Sequence, residues 1–292
     1  MGIHDGRALV QEHLLNVAKH CAQAAFKAPQ ITGRLKLQIE VLTGEREILP
    51  IVEAFSILGE IQPGHVKNAW GYRKLFEAGE TVVMVLLGAD LTVSDLGWDC
   101  GACGFRTCKE FNGYTKKHRG AGHLNEGPTC NWKALDFGTA CGWAAAAAAQ
   151  DHVDNRISMF EGAMARVLGY CEGCSYVLSI PLVSGRDLWF YNRPAINKET
   201  FSYEWWEDYV RSFMPASFMP FFSPTTIPWV KTRQDWEKDM ASPRYTITKE
   251  DPEIGRKRDE VRKRLREFVE KKKPEVAKAR REIIKLSKKQ SQ

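Results

Sequence analysis

Four cysteines, Cys100, Cys103, Cys108 and Cys130, stand in the order C-x2-C-x4-C-x21-C, and this spacing constrains the chain more than any other feature. Four thiolates drawn into one loop region are the soft ligand set that both iron–sulfur clusters and structural zinc use. Within Cys100-Gly101-Ala102-Cys103-Gly104-Phe105-Arg106-Thr107-Cys108, two glycines and an alanine let the backbone wrap closely. Amide N–H groups can then point at sulfur and offset the charge of an anionic cluster. Three cysteines within nine residues and a distant fourth suit a cluster gripped by one loop and closed by a later segment. Zinc is more often held by two separate C-x2-C hooks.

A second hook, Cys171-Glu172-Gly173-Cys174, keeps other pairings open. With Cys141 it could form another metal site. With Cys100 and Cys103 it could form a zinc-ribbon-like pair, and by itself it could act as a redox dithiol. Because Cys108 and Cys130 complete a set of four without it, the hook is placed outside the primary site. Cys21 lies on an apolar helical face and reads as a buried thiol. His118 and His123 fall in a stretch read as a surface loop, 112–127, and are not taken as ligands.

Along the chain, Leu9, Leu14, Val17, Ala18, Cys21 and Ala25 recur at helical spacing from Gly6 to Lys27, ending near Pro29. Leu35 to Leu42 alternates as a strand does, and Ile48 to Leu58 reads as a short helix. Thr81 to Ala89 carries the uninterrupted run Val82 to Leu87, expected for a central strand covered on both faces. The cysteine loop begins some ten residues beyond its end. Gly138 to Leu168, with six consecutive alanines, reads as one long helix. Val177 to Val183 and Asp187 to Tyr191 read as strands around Ser184-Gly185.

Beyond residue 200 the composition changes. From Phe201 to Trp236 four tryptophans and five phenylalanines are interleaved with Pro215, Pro220, Pro224 and Pro228, so an irregular aromatic arm is expected. It either wraps its own domain or docks on a partner. The segment 252–292 holds 16 Lys and Arg against 7 Asp and Glu, a net of +9, which leaves −3 on the rest of the chain. Glu260 to Leu286 reads as a charged helix broken at Pro274, with Val261, Leu265, Phe268 and Val269 forming a docked stripe. Packing on an acidic body or partner explains it better than nucleic-acid binding.

The run Asp99 to Lys109 resembles the small iron–sulfur domain, C-G-x-C-G-x4-C with a distant cysteine, of corrinoid and electron-transfer proteins of anaerobes. With Asp136-Phe137-Gly138, Asp154 to Ile157 and Ile180-Pro181-Leu182, the stretch Leu9 to Pro194 resembles a family of ferredoxin-domain proteins. That resemblance implies an α/β (α+β) fold: a nitroreductase-like sheet with packed helices and an inserted [4Fe-4S] loop at 99–130. It also implies candidates for a flavin, FMN: Lys27, Arg34 and Lys36 for the phosphate, Asn155 and Arg156 for polar contacts.

The expected organisation is an α/β domain over 1–200, an aromatic arm over 201–250 and a basic helical tail over 251–292. The expected function is electron transfer by one [4Fe-4S] cluster on Cys100, Cys103, Cys108 and Cys130, beside a redox partner or complex subunits that could contact 201–236. A flavin-dependent oxidoreductase fed by the cluster and a zinc-stabilised interaction module are the alternatives. Self-association is left open. No dinucleotide fingerprint is present, no apolar run is long enough to span a bilayer, and Met1 to Ala25 lacks a secretory pattern. A cytoplasmic protein of anaerobic metabolism is the expectation.

Overall fold

The computed structural model describes residues 3–61, 64–120, 125–185 and 252–290. In chain order they form α1 (Gly6–Lys27), β1 (Leu37–Thr43), α2 (Glu45–Leu58), α3 (Gly64–Glu77), β2 (Val82–Ala89), α4 (Cys108–His118), α5 (Asn131–Gln150), β3 (Asp154–Asn155), α6 (Met159–Leu168), β4 (Tyr176–Val183) and α7 (Pro252–Gln290). The strands make one antiparallel sheet in the order β1-β2-β4-β3. The expected strand Asp187–Tyr191, the aromatic stretch 201–236 and His123 lie outside the described residues.

All eight residues of β2 are buried, and they divide by parity. Val83, Val85, Leu87 and Ala89 join α1 and α5 in one core, while Val82, Met84 and Leu86 join α2, α3, α6 and α7 in the other. The result is an α/β protein in three layers, helices on both faces of the sheet. This is why β2 reads as a continuous apolar run. Pro181 sits inside β4, a position a central strand rarely allows. Its neighbour two residues back, Ser179, exchanges backbone hydrogen bonds with Ser158 on the outer side, so Pro181 lacks its N–H on that side too. The β2–β4 ladder is untouched, and β3 is limited to the pairs Asp154 with Val183 and Asn155 with Leu182.

The region expected as one helix from Gly138 to Leu168 is two helices. α5 stops at Gln150, His152 takes a left-handed φ of 57°, and the chain returns through β3 before Ser158 starts α6. Asp151, His152, Val153, Asp154 and Asn155 are all poor helix formers, and Ser158-x-x-Glu161 is a helix-start signal. The alanines Ala144 and Ala148 pack against α1 and the sheet in the α1/α5 core. The C-terminal helix departs from expectation in the other direction, running through Pro274 without a break. Val269 and Val276, on either side of Pro274, are both buried against the α2/α3/α6 core, so tertiary packing outweighs the lost backbone bond. The expected stripe docks: Val261 and Val269 are buried, with Leu265 and Phe268 packed beside them. Acidic groups of the body meet it, Glu60 pairing with Arg264 at 2.7 Å and Glu40 with Arg280 at 2.8 Å.

α6 approaches β4 so closely at Gly162 that any side chain there would strike the backbone of Val177 and Leu178. Gly162→Ala is therefore expected to destabilise the protein by about 1–3 kcal/mol through overpacking, read as a lower midpoint in urea unfolding.

Candidate metal centre

After β2 the chain leaves the sheet through Asp90 and Leu91. Leu91 donates its N–H to Ser175 Oγ at 2.8 Å and accepts the Cys130 N–H at 2.8 Å, which ties the strand exit to the start of α5. Cys108 is the first residue of α4, and Cys130 is the N-cap of α5. Both therefore stand at positive helix ends, where an anionic sulfur is favoured. α4 replaces the loop expected over 112–127 as far as His118. Thr107 caps it by accepting the Glu110 N–H at 3.1 Å, and the Glu110 carboxylate reaches back to the Arg106 N–H at 3.2 Å. This variant of a capping box was readable as Thr107-x-x-Glu110.

Cys100, Cys103, Cys108 and Cys130 all line one open hollow, with Ser94, Phe105, Asn131 and Trp132 completing its wall. The thiols line the hollow from one loop and two helix starts. The loop turns through left-handed φ values at Asp99 (47°), Gly101 (74°) and Gly104 (85°). The glycines do this without strain, and Asp99 is held by accepting the Cys108 N–H on its carboxylate at 2.7 Å.

Donors converge on the sulfurs. The Ser94 hydroxyl, 3.3 Å from Cys108 Sγ, and the backbone amides of Asp99, Trp98 and Gly97 hold the Cys108 thiol below its ordinary pKa against the opposing effect of burial. Trp132 Nε1 donates to Cys100 Sγ at 3.2 Å. The amides directed at Cys108 belong to the segment before the cysteine loop, not to the Gly-rich loop where they were expected. Lys133 is buried one residue beyond Trp132 and pairs with Asp95 at 2.7 Å.

The other thiols lie elsewhere. Cys171 and Cys174 belong to the core on the opposite face of the sheet, pressed against Gly88, where a side chain would meet Cys171 Cβ and Cys174 Sγ at 2.8 Å. Burial pushes the Cys171 thiol up strongly and the Cys174 thiol to about 11. Cys100 and Cys103 are thus grouped with Cys108 and Cys130, not with this hook. Cys141 and Cys21 are buried in the α1/α5 core, raised by that burial to about 12 and about 11. His118 stacks on Tyr114 at the end of α4, away from the hollow's lining.

The flavin candidates fall into two places. Lys27, Arg34 and Lys36 are exposed near the end of α1, where Asp136 at the start of α5 accepts the N–H groups of Ile31 and Thr32 at 2.6 and 3.0 Å. Asn155 and Arg156 follow the far end of α5, and the Asn155 amide donates to Val153 O at 2.9 Å. From Asp136 to Gln150 the helix rises on the order of 20 Å, so the two groups are not brought together. Asp136 itself, prominent in the sequence, pins the segment after α1.

Residues 126–193 match the model of a family described as "Uncharacterized protein containing a ferredoxin domain (DUF2148)". The chain resembles ferredoxin-domain proteins. An uncharacterized protein of Archaeoglobus fulgidus is 29% identical over 176 residues, which is 59% of this chain and 88% of that protein. No solved structure matches. The family match associates the chain with iron–sulfur, metal-binding chemistry; it includes Cys130 and begins beyond Cys100, Cys103 and Cys108. Among the described residues no helix is long and apolar enough to cross a membrane.

Lys133 holds the Asp95 carboxyl below the usual carboxylate range, burial opposing it weakly. A depressed folded-state pKa gives stability that is present above the unfolded value, about 4, and lost as pH falls through the folded one. Relative to Lys133→Met, the wild-type chain should therefore lose stability as pH drops below about 4, where the buried ammonium loses its partner. Urea unfolding of both proteins at pH values on either side of that window checks this.

Proposed function

We propose that this chain is an electron-transfer protein carrying one [4Fe-4S] cluster on Cys100, Cys103, Cys108 and Cys130, working beside a redox enzyme of anaerobic metabolism in the cytoplasm. The observation that carries the reading is the hollow lined by all four thiols, with the Ser94 hydroxyl and the Trp132 indole N–H directed at two of the sulfurs. Soft thiolates are the ligands iron–sulfur clusters take, and hydrogen bonds to sulfur with limited exposure are the means by which a protein sets their potential. When bound, such a group supplies one-electron redox chemistry. With every corner held by cysteine, no iron is left open to a substrate, which favours electron relay over catalysis.

The chain's own residues have defined parts in this reading. The start of α4 and the start of α5 place Cys108 and Cys130 at positive helix ends, and Asp99 fixes the turn that presents Cys108. Ser94 and the amides of Gly97, Trp98 and Asp99 favour the thiolate form that a ligand needs. All eight cysteines are free thiols, in keeping with a reducing compartment.

Anaerobically purified protein is expected to contain about four irons and four acid-labile sulfides per chain. Cys108→Ser should sharply reduce both, whereas Cys174→Ser should leave both in place. Zinc without sulfide, or metal content indifferent to Cys108→Ser, would overturn the reading. In the loaded protein, Trp132→Phe removes the N–H directed at Cys100, and the midpoint potential should move to more negative values, measured by redox titration of the visible spectrum.

A further inference from the structure

A run of basic residues extends from beside the four-cysteine hollow along α4, although the chain outside residues 252–292 has a net charge of −3. Arg106, in the cysteine loop, and Lys109, Lys116 and Lys117, on α4, are exposed. Among the described residues none of these four side chains forms an ion pair. Lys109 and Lys116, seven residues apart, share a face of the helix, and Gly113 between them leaves that face low. Of the acidic groups nearby, Asp95 pairs with Lys133, while Asp99 and Glu110 accept the N–H groups of Cys108 and Arg106 and keep their charge; from Arg106 to Lys117 four cations stand against Glu110 alone.

An aromatic pair adjoins the hollow. Trp98 is 48% exposed and stands edge-on to Trp132 with ring centroids 6.2 Å apart, and Trp132 is the residue that donates to Cys100 Sγ. One line of contacts thus runs from the surface to a candidate ligand sulfur. Cys100 itself is exposed.

We propose that this face is the docking surface for a protein electron carrier with an acidic surface, whose carboxylates meet Arg106, Lys109, Lys116 and Lys117 while its redox centre faces Trp98. The inference rests on the cluster reading for its purpose, since one electron leaves the carrier and one enters the cluster, or the reverse. Its placement rests on the exposed cations and on Trp98, and opposite potentials steer such encounters.

The test uses the full chain, with an acidic plant-type ferredoxin as probe and basic cytochrome c as control. Zero-length carbodiimide cross-linking, mapped by mass spectrometry, should join the ferredoxin to Lys109, Lys116 and Lys117, and cytochrome c should give no product there. The triple variant Lys109→Glu, Lys116→Glu, Lys117→Glu should weaken ferredoxin binding about tenfold or more at low salt, and added salt should erase the difference. The neutral triple variant to Gln should fall between, which guards against a folding defect. Cross-links confined to the lysines of α7, or unchanged affinity in variants with wild-type melting behaviour, would overturn the proposal. So would a loss of melting temperature with unchanged affinity, the mark of lysines that only complement the end of α4. Failure of the cluster reading shows separately, as absent iron and sulfide in the wild-type protein.

Discussion

The rest of the structure depends on the two-sided burial of β2. Because its alternate side chains enter two different cores, the strand can slide in neither direction without driving a whole set of apolar groups into the wrong layer. Its end is therefore a fixed point, and Leu91, two residues beyond the strand, transmits that position through hydrogen bonds of its N–H and C=O. One reaches Ser175, which follows the Cys171–Cys174 turn, and the other reaches Cys130. The start of α5 is placed by the sheet, and a candidate ligand with it.

The far end of α4 is anchored as firmly as its beginning. Arg119 pairs with Asp90 at 3.0 Å and Glu126 at 2.6 Å and donates to Gly173 O at 3.0 Å. Three segments that are distant in sequence meet at one guanidinium, whose planar fork suits such multiple acceptors. Between this clamp and the capped start at Thr107, α4 has little freedom to tilt. A helix held at both ends keeps the Cys108 sulfur under the donors of 94–99, which is the condition for preorganised rather than induced ligand geometry.

How much of this was legible varies with the kind of signal. The β2 run, the α1 stripe apart from the exposed Leu9, and the stripe of Val261, Leu265, Phe268 and Val269 were readable because burial writes directly into hydrophobic pattern. The C-x2-C-x4-C loop marked its own thiols by spacing. The break between α5 and α6 was missed because six alanines dominate a propensity reading, although Asp151 to Asn155 and Ser158-x-x-Glu161 carried the local contrary signal. α4 was missed because Gly113, three lysines and a histidine look like loop composition, while the cap at Thr107 was the better guide. The amides of 97–99, Ser94 and the Trp132 indole could not be read at all. They reach the sulfurs through tertiary folding, and no periodicity records a direction in space.

Pro181 has one more consequence. A sheet with helices on both faces is still open along its sides, where unpaired backbone groups can recruit further strands from other chains. On the β3 side that opening is nearly closed from within. The ladder is two residues long, and the strand behind it lacks an N–H at 181, so a foreign strand that displaced β3 would find a gap in place of a continuous row of donors. The same imino acid that shortens the sheet thereby protects it, and among the described residues unwanted sheet extension is left to the β1 side, where Glu40 and its partner Arg280 stand guard with charge.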